Sequence, residues 1–192
     1  MIKYKDLNIE YIESFLSKGY SDTVLLKLLN EVIWQNDTIN MFGKAHLLPR
    51  LTAFYGDTGK VYNYSGISME PLPWTKLLID IKKIVEEKVK ISFNTVFLNR
   101  YRNGEDYQGF HSDNESSLGE NINIASISLG AERDFKMKRK ANSNSNSFSI
   151  NLKHGSLLIM RHPTQNFWLH SIPKRLKIKE ERINLTFRQI MI

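Results

Sequence analysis

Apolar and polar side chains alternate without interruption along Arg182-Ile183-Asn184-Leu185-Thr186-Phe187-Arg188. Alternation with a period of two predicts a β-strand with one apolar face and one polar face. The polar face carries a guanidinium at each end, and each guanidinium offers a planar fork that matches a carboxylate. The stretch therefore predicts either an anion-binding strand inside the fold or an edge strand with a solvated polar face.

Similar strand patterns fill the C-terminal half of the chain. Short apolar or alternating runs follow one another there, which predicts an antiparallel sandwich or barrel. Two amphipathic helices are predicted before them, over 22–35, with Ser21 or Asp22 as the N-cap, and over 75–90. We therefore expect a mainly β fold with flanking helices, in the α+β class, with a barrel-like core. The predicted strands are 93–101, 124–129, 133–138, 147–152, 156–160, 167–172 and 182–190.

Length and composition limit the kind of protein. The 192 residues fit one domain with a continuous core. The chain has no cysteine, so any metal must be held by His, Asp or Glu. A formal net charge of +7 favours a polyanionic partner. No segment resembles a signal peptide or a membrane span, so we expect an intracellular monomer without membrane contact, cytoplasmic in a prokaryote or nuclear in a eukaryote.

His111, Asp113 and His170 are the candidate metal ligands. His111 and Asp113 are two residues apart, so in an extended strand their side chains would point the same way. Two imidazoles and a carboxylate on one face of a metal leave the other face open for a chelating ligand and dioxygen, as Fe(II) oxygenases require. A chelating 2-oxo acid would also need a basic partner, which the arginine strand offers. His154 and His162 are interpreted as turn residues.

Short motifs along most of the chain carry a resemblance to a known family. The motifs are Pro49-Arg50, Phe54-Tyr55-Gly56-Asp57, Tyr62-Asn63-Tyr64-Ser65-Gly66, Pro73-Trp74, Phe93-Asn94, Asn99-Arg100-Tyr101, His111-Ser112-Asp113-Asn114-Glu115, Ala125–Ala131, His154–Leu158, and His162-Pro163-Thr164 with Trp168 and His170. They resemble the AlkB family of Fe(II)- and 2-oxoglutarate-dependent dioxygenases, and within it the animal members that repair duplex DNA. The resemblance covers the chain from about residue 42 to residue 188.

The resemblance implies a fold and a reaction. The fold would be the double-stranded β-helix, a relative of the jelly roll. Residues 1–192 would form a single dioxygenase domain, with 1–92 as N-terminal helices and nucleotide-recognition lid and 93–192 as the catalytic core. The reaction would use Fe(II), O2 and 2-oxoglutarate to remove N-alkyl groups from DNA, as on 1-methyladenine or 3-methylcytosine. Its products would be formaldehyde, succinate and CO2.

The resemblance also implies two sets of residues at the catalytic centre. The iron ligands would be His111, Asp113 and His170. In the cosubstrate pocket, one arginine would pair with the distal carboxylate of 2-oxoglutarate and the other would orient the keto-acid end. The pocket residues would be Asn99, Tyr101, Arg182, Thr186 and Arg188, with Asn184 as a brace.

A third implied set would handle the DNA. The segment containing Phe42, Gly43 and Lys44 resembles a hydrophobic finger, in which Phe42 would fill the gap left by an extruded base. The alternative is an ordinary core or loop aromatic. Tyr64 could stack on the extruded base and Tyr62 could donate a hydrogen bond near it, although the two could also be a core pair. Asn114 and Glu115 could touch the exocyclic group of the base, while phosphates would be held by Arg50, Lys174, Arg175 and Lys177.

Two positions depart from the duplex-repairing relatives. Tyr64 stands where they carry phenylalanine, and Asn114 stands where they carry an acid. An amide at position 114 cannot supply the same negative charge to a cationic methylated base. Three functions thus stay open: duplex DNA repair, the same chemistry on RNA or single strands, and a catalytically silent nucleic-acid binding module. The basic run near residue 175 could also be a solvated turn.

Overall fold

A computed structural model describes residues 4–41, 44–64, 67–140 and 147–191. The strands are β1 (Asn8–Ile12), β2 (Thr38–Met41), β3 (Lys44–Leu47), β4 (Leu51–Gly56), β5 (Tyr62–Tyr64), β6 (Ile67–Met69), β7 (Thr95–Tyr101), β8 (Gln108–His111), β9 (Ile124–Gly130), β10 (Arg133–Arg139), β11 (Ser147–Leu152), β12 (Ser156–Arg161), β13 (Trp168–Ile172) and β14 (Arg182–Arg188). The helices are α1 (Lys18–Glu31), α2 (Lys76–Val89) and α3 (Thr164–Phe167), with a 3-10 turn at Ser116–Leu118.

The elements form three layers. A six-stranded sheet has the order β1-β12-β9-β14-β7-β4, and a four-stranded sheet has the order β11-β10-β13-β8. Both sheets are antiparallel. One apolar cluster packs α1 and α2 against the six-stranded sheet, with Ile81 and Leu185 among its members. A second cluster, which includes Phe97 and Met137, lies between the two sheets. The predicted mainly β class with helices on one side is confirmed.

The arginine strand lies in the interior of the fold. β14 pairs with β7 on one side and β9 on the other, and all seven of its residues are buried. Its apolar residues join the cluster under the helices, so its polar residues point into the space between the sheets. The interpretation as a solvated edge strand is therefore wrong, and the interior strand is confirmed.

Helix α1 begins four residues earlier than predicted. It runs over Lys18–Glu31, and Ser17 is the N-cap because its hydroxyl accepts the backbone N–H of Tyr20 at 3.4 Å. Ser21, one of the two predicted caps, is fully buried instead. Helix α2 agrees with its prediction, since it runs over Lys76–Val89 with Thr75 as the cap.

The seven predicted strands correspond to β7 and β9–β14, with ends that differ by at most two residues. The remaining strands carry weaker signals, because they are short or mix apolar and polar residues irregularly. In the described part of the chain, no helix has both the length and the apolar character to cross a bilayer.

Candidate active site

Three potential metal ligands meet at the open edge of the four-stranded sheet. His111 ends β8 and lies opposite His170 on β13, with 4.2 Å between the ring centroids. One ligand atom from each histidine and from Asp113 all lie within 4.8 Å of one another. The sequence predicted this cluster, but one detail is wrong. Asp113 lies beyond β8, where its backbone N–H is held by the side-chain oxygen of Gln165 at 3.0 Å.

The two imidazoles are set up to coordinate a metal. His111 Nδ1 lies 2.9 Å from the carbonyl oxygen of Gly109, so a proton there donates to that oxygen and leaves the lone pair on Nε2, the atom that would coordinate a metal. His170 stacks on Phe135 with ring centroids 5.1 Å apart. Burial lowers the pKa of His170 to about 3, and burial also lowers the pKa of His111. Both rings are therefore neutral at physiological pH, the form that binds metals.

Asp113 is the anionic member of the cluster. It is 2% exposed, and its Oδ2 atom accepts hydrogen bonds from Arg188. Burial would raise the pKa of Asp113, but the charge of Arg188 and its hydrogen bonds hold that pKa below its usual range. Two neutral imidazoles and one ionised carboxylate fit Fe(II), which accepts this donor set.

Arg182 supplies a second feature of the same cleft. It is 1% exposed, and its Nη2 atom donates to Ser128 Oγ at 2.9 Å. Its Nε and Nη1 atoms are buried with no hydrogen-bond partner among the described residues. Burial lowers the pKa of Arg182 to about 10, so the group stays charged at neutral pH. A buried cation with two unused donors is costly unless an anion pairs with it, and a carboxylate matches the guanidinium fork.

The other predicted pocket residues line the cleft around Arg182. Tyr101 places its ring 5.1 Å from the Arg182 guanidinium carbon. Thr186 Oγ1 donates to Asn184 Oδ1 at 2.9 Å, and Asn184 Nδ2 donates to Ser126 Oγ at 2.7 Å. These bonds are what a bracing residue would make. The cleft is shared with the metal ligands, since its lining includes Asn99, Tyr101, His111, Asp113, His170, Arg182, Asn184, Thr186 and Arg188.

Gln108 is a site residue that the sequence did not reveal. Its Oε1 atom accepts the Tyr101 hydroxyl at 3.3 Å, and its Nε2 atom lies 2.9 Å from His111 Nε2. It thus connects the cosubstrate side of the cleft to a metal ligand. No sequence signal pointed to it, because β8 is too short and irregular to be predicted.

The residues predicted to handle the base are only partly described. Phe42 and Gly43 lie outside the described residues, as do the side chains of Lys44 and Tyr64. The strands before and after Phe42 pair with each other, with Met41 opposite Lys44.

Two further residues predicted near the base lie close to the iron ligands. Tyr62 is buried in the cleft with its ring 5.3 Å from the Arg188 guanidinium carbon. Glu115 is half-buried, and burial followed by the charge of Asp113 raises its pKa. Asn114 is exposed next to them.

Two of the four predicted phosphate contacts already have hydrogen-bond partners within the protein. Arg50 is 2% exposed, and its Nε atom donates to Asn99 Oδ1 at 2.6 Å. Its guanidinium therefore supports the cleft from behind, and a phosphate could reach it only if the side chain moved. Arg175 is paired with Asp134 through Nε at 2.7 Å. Lys174 and Lys177 are exposed, as the prediction requires.

Comparison with known proteins identifies the family. The sequence profile of the 2OG-Fe(II) oxygenase superfamily matches residues 8–188. The chain belongs to this superfamily. Its members use Fe(II), 2-oxoglutarate and O2, and the metal cluster and Arg182 suit these groups.

Relatives at higher identity narrow the family to AlkB. The DNA oxidative demethylase ALKBH2 of Homo sapiens is 39% identical over 200 residues, which is 100% of this chain and 76% of the relative. The Bos taurus protein of the same name is 38% identical, over 99% of this chain and 71% of the relative. The alpha-ketoglutarate-dependent dioxygenase alkB homolog 3 of Bos taurus is 41% identical, over 92% of this chain and 64% of the relative. The chain is thus an AlkB-family dioxygenase.

A solved structure supports the same fold. The structure of OsALKBH1 superposes with a TM-score of 0.70 over 97% of this chain and 100% of that chain. The two share 17% sequence identity, so the likeness bears on the fold alone. Together with the superfamily match, it identifies the two antiparallel sheets as the expected jelly-roll core.

Proposed function

We propose that this dioxygenase repairs DNA by oxidatively removing N-alkyl groups from its bases. One observation carries the proposal: the three-ligand cluster and the two unused donors of Arg182 lie in the same cleft. A metal ligand set next to a carboxylate-binding cation suits a chelating 2-oxo acid. The chain also has DNA oxidative demethylases among its relatives, at 36–39% identity. Its formal charge of +7 suits a polyanionic substrate.

We assign the catalytic roles to residues of the cleft. His111, Asp113 and His170 hold Fe(II), and Arg182 pairs with the distal carboxylate of 2-oxoglutarate. Arg188 keeps Asp113 ionised and oriented. Bound Fe(II) and 2-oxoglutarate supply, with O2, the oxidation of the N-alkyl carbon, with succinate and CO2 as by-products and formaldehyde as the released one-carbon fragment. The protein binds these groups, aligns them and excludes water from the buried Asp113 and Arg182.

We assign substrate handling to the N-terminal part and the cleft rim. In this proposal residues 1–92 form the nucleotide-recognition lid and 93–192 the catalytic core. Tyr62 contributes to the cleft from the lid side, and Tyr64, Asn114 and Glu115 contact the base. Phe42 enters the gap in a duplex, because the segment that contains it resembles a hydrophobic finger in sequence and an apolar wedge can open a base step. Lys174 and Lys177 contact phosphates, which adds affinity without sequence reading.

Duplex DNA is the proposed substrate form, and the enzyme is proposed to act as a monomer. The support for a monomer is that the metal cluster and the cosubstrate groups all come from one chain. The support for duplex DNA is the sequence resemblance of the segment around Phe42 to a hydrophobic finger and the identity to ALKBH2 proteins.

The direct test is a repair assay. The purified protein is incubated with Fe(II), ascorbate and 2-oxoglutarate, and 1-methyladenine is presented in matched single-stranded and duplex oligonucleotides. Loss of the methyl mass with release of formaldehyde is expected, and His170→Ala should abolish it. Phe42→Ala should slow duplex repair selectively. Succinate formation without repair would show that the enzyme acts on a different substrate. An equal loss of repair activity by Phe42→Ala on single-stranded and duplex DNA would contradict the role of Phe42 as a wedge.

A further inference from the structure

Two aromatic rings are exposed on or next to β8, the strand that ends at the metal ligand candidate His111, and neither has a role in the proposed reaction. Phe110 lies on β8 and is 43% exposed, and Tyr107, just before β8, is 36% exposed. The ammonium of Lys138 lies 4.2 Å from the Phe110 ring centroid. The ammonium of Lys174 lies 4.9 Å from the Tyr107 ring centroid. Each exposed ring is thus matched with a positive charge.

Phe110 and Lys138 lie on the outer face of the four-stranded sheet, because Phe110 neighbours the inward-facing His111 and Lys138 neighbours the inward-facing Met137. Gln108 and His111 line the cleft, whereas Phe110 of the same strand is exposed to solvent. β8 is the last strand of its sheet, so one of its edges is open. A Cβ atom added at Gly109 would meet nothing within 4 Å, so among the described residues no group covers the strand there. The span from Tyr107 to His111 is about 13 Å, so a nucleic-acid strand with one base in the cleft can pass around this edge to the outer face within about two or three nucleotides.

We propose that Tyr107, Phe110, Lys138 and Lys174 form an aromatic-lysine surface that binds the unpaired strand next to the alkylated base when the lesion lies in single-stranded DNA, a second substrate form besides the duplex. A base stacks on Phe110, and the lysine ammoniums turn from the rings to the phosphates. Exposed aromatics in a positive setting are the usual means of holding single-stranded nucleic acid, since every base has a face to stack. The inference rests on the proposed function for the position of the reacting base.

Charge favours nucleic acid over an apolar protein partner at this surface. Asp134, whose strand also carries Lys138, already pairs with Arg175, and Asp106, next to Tyr107, pairs with Arg102. These acids are therefore neutralised locally, and the positive charge of the two lysines is left to attract an anion. A nucleotide can stack its base on the ring and pair its phosphate with the ammonium. An apolar partner would cover the ring but leave the ammonium unpaired.

The test measures binding of an unmodified, fluorescein-labelled oligothymidylate by fluorescence anisotropy, without iron or cosubstrate. Phe110→Ala should weaken binding about tenfold, the effect of one lost base-aromatic stack. Phe110→Trp keeps a stacking face and should retain the affinity. Leu26→Ala, which truncates a 61% exposed residue on α1, is the matched control and should change nothing. Because Phe110 is exposed, its truncation should leave the fold intact.

Two further measurements separate stacking from charge. Lys138→Ala should reduce the slope of the logarithm of the binding constant against the logarithm of salt concentration by about one. Lys27→Ala on α1 removes the same charge at an exposed position and should leave this slope unchanged. On a duplex of the same length, Phe110→Ala should change affinity less than about twofold, since paired bases hide their faces.

The outcomes distinguish this inference from the proposed function. Wild-type affinity of Phe110→Ala for the single strand would overturn the aromatic-lysine surface, even if the enzyme repairs DNA. Weakened binding by Phe110→Ala in a protein that releases no formaldehyde from methylated DNA would overturn the repair function and leave the surface standing.

Discussion

Arg188 donates two hydrogen bonds to the same carboxylate oxygen of Asp113, from Nε at 3.2 Å and from Nη2 at 2.8 Å. The other oxygen, Oδ1, lies 3.6 Å from His111 Nε2. One oxygen of the carboxylate is therefore committed to the protein, and the other faces the imidazoles. This relationship orients Asp113 for coordination through a single oxygen and keeps it ionised in a buried place.

Loss of Arg188 should destabilise the metal-free protein. Arg188→Gln leaves the Asp113 carboxylate buried without its cation, which should reduce the free energy of unfolding by about 3 kcal/mol at neutral pH. The measurement is urea denaturation followed by circular dichroism. The double variant Arg188→Gln with Asp113→Asn removes both charges and should recover most of the loss. If the single variant were as stable as the wild type, the pairing would not hold Asp113 in solution.

Arg182 should control the affinity for 2-oxoglutarate. Arg182→Gln removes the buried cation, so the Kd for 2-oxoglutarate in the presence of a redox-inert divalent metal should rise at least about 30-fold. Isothermal titration calorimetry gives this value directly. Arg100→Gln is the control, because Arg100 is opposite Ile183 on β14 but pairs with Glu181 away from the cleft. Similar losses in both variants would argue against a specific role for Arg182.

His170 should make stability depend on pH in the metal-free protein. Its pKa is lowered to about 3 by burial, against about 6.5 when unfolded. Between these values the unfolded chain binds a proton that the folded protein excludes, so the free energy of unfolding falls as pH drops, by about 1.4 kcal/mol per unit. Above about pH 6.5 the group contributes no pH dependence.

His170→Asn should remove this share of the pH dependence. Urea unfolding at neutral pH and at about pH 5.5 should show a shallower fall in stability for this variant than for the wild type. His46→Asn, which changes an exposed histidine on β3, should keep the wild-type slope. A His170→Asn variant with an unchanged slope would show that His170 is not buried in its neutral form.

Asn114 should limit the preference for cationic bases. Asn114→Asp introduces a negative charge at an exposed position near the cleft, so kcat/KM for 1-methyladenine should rise up to about fivefold. A neutral alkylated base should gain less, because it carries no positive charge to attract. Parallel repair kinetics on the two lesions measure the effect. An equal change for both lesions would place Asn114 out of contact with the base.

Regular patterns made most of the fold and the metal cluster predictable. The alternation of β14 identified a strand whose polar face holds Arg182 and Arg188, and the two imidazoles with Asp113 matched a known donor set. These features depend on residue type and local period, which a sequence displays directly. The start of α1 was misplaced because both Ser17 and Ser21 are good caps, and only packing buries Ser21.

Other features depend on tertiary packing that no local pattern encodes. Arg50 looked like a surface cation, yet the structure buries it against Asn99. Arg188 pairs with Asp113, which lies 75 residues before it, and Arg182 does not. This difference between the two arginines depends on a long-range contact. Gln108 lies on a strand with no clear period, so its contacts with Tyr101 and His111 could not be anticipated.

In the proposed function a single site binds both groups: His111, Asp113 and His170 hold Fe(II), and Arg182 holds 2-oxoglutarate. An anaerobic titration of the protein with Fe(II) and then 2-oxoglutarate tests it most directly, because chelation of the iron by the keto acid produces a visible charge-transfer absorption. We predict that one iron and one 2-oxoglutarate bind per chain and that the band is lost in His170→Ala. In Arg182→Gln, a higher concentration of 2-oxoglutarate should be needed to reach the full band. A wild-type band in His170→Ala would contradict the account.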